Sequence, residues 1–425
     1  MNELSPKSKL IAILLAFYIH GLTFYFTLSG LAGIHTTVLT AIFQVCLVAI
    51  PFILILLTRG PRQRLFHLGV PELLYLTFVA MFLSDYISTA DKSNFPDNLI
   101  IYFGVYWTAL CLLRSLTFAQ FCLLCPISSA ISVLTSLILL GQVFTGSAQW
   151  ADNGGRLVAG TSGNPILAGY TGAYAFLSCI VMWLTGRYAG NPILLALAVP
   201  GFLVCSFSGT RSATLSIMLS GVFVILYTVN LLLASNKTAG KLISNLVTYS
   251  GIGLTSILLL SPISSAMTSS KAEASPIERA LNTGFQRIEV LFRVIGGGEP
   301  DMSIEGREHI YDNAWSLFLQ KPIWGNGLYT TGSAHNAFLQ VATEFGTLGI
   351  ITFIVPFLYL GFQVMKIALS ASRQCAIVRQ TPAKFVKSDY AMMTCFTVVF
   401  CFKQSVSLTF MEIPIETICL FRRLG

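Results

Sequence analysis

The chain has 425 residues, 54% of them hydrophobic and only 10% charged. An average soluble domain is about 25% charged, so water is excluded as the solvent for this much apolar surface. Lipid takes its place, and one bundle of spanning helices replaces the roughly three soluble domains that length alone suggests.

About twelve apolar runs of roughly 15 to 25 residues are long enough to cross a bilayer. In chain order they lie near 10–29, 36–58, 70–84, 98–113, 117–141, 166–185, 191–207, 212–234, 243–262, 346–369, 388–408 and 411–424. The last is short. The first is too long for the apolar core of a signal peptide and no small-residue cleavage site follows it, so it is expected to stay as a span. With the N-terminus inside, 16 of the 26 basic residues fall on the inner side, including Arg59, Arg62, Arg64, Lys384 and Lys387. The outer loops carry acidic residues instead, such as Asp85, Asp91, Asp97 and Asp152. This is the positive-inside pattern. It accounts for the net charge of +8 and the pI near 9.0 without a nucleic-acid partner.

The expected fold is therefore an all-α integral membrane protein. Residues 1–262 supply spans one to nine, 263–345 one large outer loop, and 346–425 spans ten to twelve. Within the loop, "SPIERALNTGFQRIEVLFRVIGGG" reads as an amphipathic helix. Ser275 and Glu278 form a capping box around Pro276. Ile277, Leu281, Gly284, Ile288, Leu291 and Ile295 make its apolar stripe. A second helix is expected from near Arg307 to just before Pro322.

The ten cysteines lie in apolar runs except Cys375, so no disulfide framework is expected. Cys122 and Cys125 enclose two leucines inside a span and read as small hydrophobes. The five histidines (20, 35, 67, 309 and 335) are scattered. There is no DxD, no HExxH and no Walker A sequence, so neither metal nor ATP is expected as a cofactor. Glu412 and Glu416 flank Pro414 in the last span, with no assigned role.

Three basic or imidazole positions stand apart. Arg211, in "SFSGTRSATLS", sits where span seven turns into span eight. A cation there opposes the helix dipole by about 0.3–1 kcal/mol, and a bound anion reverses that penalty. An anion site and a snorkelling interfacial arginine are its two readings. Arg307 opens "GREHIYDNAWSLFLQKPIWGNG" and shares a helical stripe with Tyr311, Ala314, Phe318 and Lys321. Arg307 and Lys321 stand roughly 21 Å apart along it, so only one can belong to the innermost site. Lys321 also suits a helix C-terminus on electrostatic grounds alone. His309 faces away from Arg307. His335 follows Ser333, a candidate N-cap, in "GSAHNAFLQVATEFGTLGI". In a first helical turn its imidazole is expected to stay neutral and able to accept a proton or hydrogen bond; a structural interfacial histidine is the alternative. Asn336, Gln340, Thr343 and Glu344 form a neighbouring polar face, with Glu344 opposite His335 unless Gly346 kinks the helix. Two outer arginines beside a neutral histidine suit a phosphate-bearing lipid met by a hydroxyl-bearing acceptor.

Four stretches together resemble the O-antigen ligase family, within the group that includes O-antigen polymerases. They are "GTSGNPILAGYTGAY", "SGTRSATLS", "GREHIYDNAWSLFLQKPIWGNG" and "AHNAFLQVATEFGTLGI". The resemblance implies a GT-C-like membrane glycosyltransferase of the bacterial inner membrane, multi-pass, with its site facing the periplasm. It implies transfer of O-polysaccharide from undecaprenyl pyrophosphate to a sugar hydroxyl of lipid A–core, with inversion and without ATP or metal. Arg211 and Arg307 would then bind the pyrophosphate and His335 would contact or deprotonate the acceptor hydroxyl. Lys321, Asn336, Tyr311 and Glu344 would contact substrate. The loop between Pro322 and His335 is shorter than in some relatives, which leaves acceptor recognition open. The alternatives are an O-antigen polymerase and a polytopic lipid or polysaccharide transporter. The latter predicts charges buried in mid-span and an internal repeat; few such charges and no repeat are found.

Overall fold

The computed structural model describes residues 5–34, 70–88, 118–151, 155–160, 164–184, 191–210, 302–328 and 339–353. It also describes positions within 39–54, 213–217 and 282–289, and residues 330 and 355. The elements are helices α1 (Pro6–Ala32), α2 (Val70–Ser88) and α3 (Phe118–Thr145), strands β1 (Trp150–Ala151) and β2 (Arg156–Leu157), and helices α4 (Pro165–Leu184), α5 (Pro192–Ser208), α6 (Met302–Gln320) and α7 (Leu339–Phe353).

The polarity of α3 shows which solvent the bundle faces. Ser128, Ser129, Ser132, Thr135 and Ser136 are all at most 1% exposed, whereas Leu134, Leu137 and Phe144 point outward. Water would invert that arrangement. In lipid it is favourable, because small polar residues let helices approach and bond within the helix. Thr135 and Ser136 donate to the carbonyls of Ile131 and Ser132 at 2.7 and 2.9 Å. Leu39, Ile42, Val45, Ile50 and Ile53, in the second apolar run, are likewise exposed.

Among the described residues, two helices are long and apolar enough to cross a membrane, Pro126–Thr145 and Pro165–Trp183. A third counts if α1 is one span, bent by 69° between Pro6–Phe17 and His20–Ala32. Leu73–Asp85, Pro192–Ser208 and Leu339–Phe353 are apolar but shorter. The apolar runs expected near 10–29, 70–84, 117–141, 166–185 and 191–207 thus each correspond to a helix. Those at 98–113, 243–262, 388–408 and 411–424 lie outside the described residues.

Helices α4 and α5 open on the same tetrapeptide, Asn-Pro-Ile-Leu. Asn164 and Asn191 accept from the N–H of Ile166 and Ile193 at 2.9 and 3.1 Å, and proline follows each cap where no N–H is needed. The two helices then cross in backbone contact. A Cβ on Gly172 would meet the Gly201 carbonyl oxygen at 2.5 Å, and one on Gly201 the Phe176 nitrogen at 2.7 Å. Between α1 and α4, Thr171 donates to Thr23 at 3.0 Å and His20 stacks on Tyr174 with ring centroids 4.1 Å apart.

The loop after α3 departs from the all-helical expectation. It holds an antiparallel hairpin, with Trp150 paired to Leu157 and Ala151 to Arg156. No alternating run announces so short a ladder. Leu157 is what seats it, packing with the neighbouring Ala159 and with Leu139, Val143, Ala168, Val204 and Phe207 from α3, α4 and α5. Gly160 then passes against the backbone of Phe26 and Thr27 in α1. The later part of α1, the C-termini of α3 and α5 and the N-terminus of α4 therefore meet at one end, as alternating spans require.

In the large loop, Asn282, Gln286 and Glu289 are helical, and Gln286 and Glu289 are exposed. Their spacing places them off the apolar stripe expected for that helix. Helix α6 begins at Met302, five residues before the expected start near Arg307, and ends at Gln320, before Pro322 as expected.

Candidate active site

At the end of α5 the chain leaves the helix through Gly209, in the left-handed conformation, whose N–H returns to the Ser206 carbonyl. Thr210 follows and is 3% exposed. Its hydroxyl reaches the Pro165 carbonyl at the start of α4 at 3.2 Å, and Ser208 Oγ donates to Thr210 Oγ1 at 3.0 Å. The Thr210 carbonyl accepts from the Thr214 N–H at 3.1 Å, and Ala213 and Thr214 are helical. Ala213 is buried against Tyr170, Ala173 and Leu177 of α4. Gly169 supplies the room, because a Cβ there would meet Ser208 Oγ at 2.6 Å and Thr210 at 2.7 Å. Two of the four stretches singled out in the sequence, "GTSGNPILAGYTGAY" and "SGTRSATLS", are thus in contact. Arg211 itself lies outside the described residues, bracketed by anchored neighbours on both sides.

The other two stretches meet at Gly346. The α7 ladder is interrupted there, because Gly346 has φ +65°. In an uninterrupted helix the N–H groups of Thr347 and Leu348 would bond the carbonyls of Thr343 and Glu344. Instead they donate to Pro322 and Ile323 at 2.8 and 3.4 Å. The freed carbonyls of Thr343 and Glu344 accept from the N–H groups of Asn326 and Gly327 at 2.9 and 3.0 Å. The turn 322–327 and the helix thus exchange backbone hydrogen bonds, and every polar group involved is satisfied, as lipid demands. Side chains extend the junction. Thr347 Oγ1 also donates to Pro322 at 2.7 Å, and Thr343 Oγ1 lies 3.0 Å from the Ala314 carbonyl of α6.

Asn326 closes α6. Its amide donates to the Leu317 carbonyl at 2.7 Å and to Thr343 at 3.2 Å. Leu317 is in the last turn, where carbonyls have no helical partner. Replacing Asn326 by Ala is expected to cost about 1–3 kcal/mol, since it leaves a carbonyl without its donor. Thermal unfolding in detergent reads this out, and an unchanged Tm refutes it. Asparagine between two glycines after a helix was the available sequence signal.

Helix α2 holds this junction from the side. Phe78 packs on Phe345 and Phe353, with centroids 5.4 and 5.0 Å apart. The Asp85 carboxylate accepts the N–H of Leu328, tying the C-terminal end of α2 to the turn.

The stripe expected on α6 is partly recovered. Ala314 is fully buried, Tyr311 and Phe318 are half-buried, and Lys321 is exposed just past the helix end. The Arg307 backbone belongs to α6, while its side chain, with His335 and Asn336, lies outside the described residues. Glu344 is 1% exposed and accepts from Gln340 Nε2 at 3.1 Å. Its carboxylate therefore sits beneath the surface, next to Gln340 one turn earlier on α7. Among the described residues no three His, Cys, Asp or Glu side chains gather as metal ligands.

Small polar groups inside and apolar groups outside are the pattern of a helical membrane protein, and the four stretches singled out in the sequence meet in two pairs within it. The family model described as O-antigen ligase matches residues 193–354. That segment is similar to the O-antigen ligase family, within the ligase and polymerase superfamily. Members are membrane-embedded, glycosyltransferase-like enzymes of polysaccharide biosynthesis. No curated protein matches the chain.

Proposed function

We propose that this protein is the ligase itself, transferring O-polysaccharide from undecaprenyl pyrophosphate to a sugar hydroxyl of lipid A–core. The reaction takes place at the periplasmic face of the inner membrane, in a bundle of about twelve spans. One observation carries the reading: the matched segment 193–354 contains Arg211, Arg307 and His335 together. The anchored turns before Arg211 and after α6 add rigid supports for groups that must hold a diphosphate.

In this reading the acceptor hydroxyl oxygen attacks the anomeric carbon of the polysaccharide from the face opposite the diphosphate. The bond from that carbon to the pyrophosphate oxygen breaks, and configuration inverts. Arg211 and Arg307 bind the diphosphate and stabilise the charge that develops on it. The hydroxyl proton passes to His335, whose neutral ring can accept it. Lys321, Asn336 and Tyr311 complete the contacts to substrate, with Glu344 supporting them from beneath. No step requires ATP or a metal.

Reconstitution of the purified protein with lipid-linked polysaccharide and lipid A–core tests this directly. Ligated lipopolysaccharide is expected, and EDTA is expected to leave its yield unchanged. Elongated lipid-linked polymer without ligated product would make the protein a polymerase, and movement of lipid-linked polymer without bond formation a transporter.

A further inference from the structure

We propose that Arg156 is a positioning residue for the diphosphate site: its guanidinium holds the turn that presents Arg211. This rests on the donor-binding reading of Arg211. Arg156 Nε donates to the Ser208 carbonyl at 3.0 Å, across 52 residues of sequence. Ser208 ends α5, and only Gly209 and Thr210 separate it from Arg211. The bond falls at the carbonyl end of α5, where the helix dipole favours a cation.

Arg156 is itself well anchored. It pairs with Ala151 in the hairpin, and the next residue, Leu157, is fully buried between α3, α4 and α5. The hairpin thus transmits the packing of three helices to one carbonyl. Without that bond the Ser208 carbonyl loses its tie to the hairpin, and the turn rests only on its contacts with α4, through Thr210 at Pro165 and Ala213. A displacement of about 1 Å there is enough to lower turnover by up to 10²-fold, because the diphosphate must lie in line with the attacking hydroxyl. Lysine at this position keeps a donor and the charge but lacks the planar fork.

The test uses full-length protein in proteoliposomes, with undecaprenyl-pyrophosphate-linked polysaccharide and lipid A–core, and rates normalised to folded protein. Arg156→Ala is expected to lower kcat/KM for the donor by about 10-fold or more, with the acceptor KM unchanged. Arg156→Lys is expected to recover part of that loss. In an Arg211→Lys background the same Arg156→Ala change is expected to cost much less, because the group it positions is already altered. Wild-type donor kinetics in Arg156→Ala overturn the proposal, as does an undiminished loss in the Arg211→Lys background. If the alanine variant does not fold, the lysine variant decides. A donor-specific fall supports the proposal, and wild-type kinetics or an equal loss toward both substrates overturns it. An active Arg211→Ala protein gives a separate result, removing the donor reading on which the proposal stands.

Discussion

Alanine at Arg211 or at Arg307 is expected to lower polysaccharide transfer by about 10²–10³-fold, the usual loss when one charge-stabilising donor is removed from a reacting centre. The protein is expected to insert and fold nonetheless. Around position 211 the backbone is held by Ser208, Thr210 and the Pro165 carbonyl, and Ala213 is packed into α4; none of these supports uses the Arg211 guanidinium. At position 307 the helix is fastened farther along, by Asn326 at Leu317 and by Thr343 at Ala314. Lipopolysaccharide gels from cells carrying each variant give the answer. Loss of the ladder with normal membrane levels of protein is the expected pattern, and a normal ladder removes that arginine from the site.

The second large effect is structural. Gly346→Ala is expected to destabilise the protein by about 2–5 kcal/mol, combining a left-handed backbone cost of about 1–2 kcal/mol with an overpacking cost of about 1–3 kcal/mol. The added methyl would press on the carbonyl of Ile323 and lie 2.6 Å from the nitrogen of Gly325. Neither can yield cheaply, because both are backbone atoms of the turn that exchanges bonds with α7. Thermal unfolding in detergent, followed by aggregation onset, measures the loss. A Tm within a degree of the parent would show that the helix closes over Gly346 without the turn.

Much of this architecture was legible from hydropathy. The apolar runs near 10–29, 70–84, 117–141, 166–185 and 191–207 name helices that exist, because a bilayer imposes length and composition on each segment separately. Arg211 and Arg307 stood out as cations in so apolar a chain, but the expectation that Arg307 opens its helix fails, because α6 already starts at Met302. Glu344 was legible as part of a polar face, but not as a buried group beside Gln340, since that depends on what packs around α7. The interruption at Gly346 was open to sequence reading only as a possible kink. Its partner, the turn 322–327, lies about twenty residues earlier, and no local pattern states that two backbones will share carbonyls. Arg156 escaped notice for the same reason: its partner is a main-chain atom, and any residue could have supplied it.

The exchange at Gly346 also bears on how such a chain can diverge. Four N–H groups and four carbonyls face one another in fixed order, so one residue gained or lost between 323 and 326 or between 344 and 347 leaves the two sets of pairs unable to form together. Changes in length are therefore channelled into the intervening stretch, 329–338, which contains His335. A change of length in that stretch leaves the four backbone bonds in register.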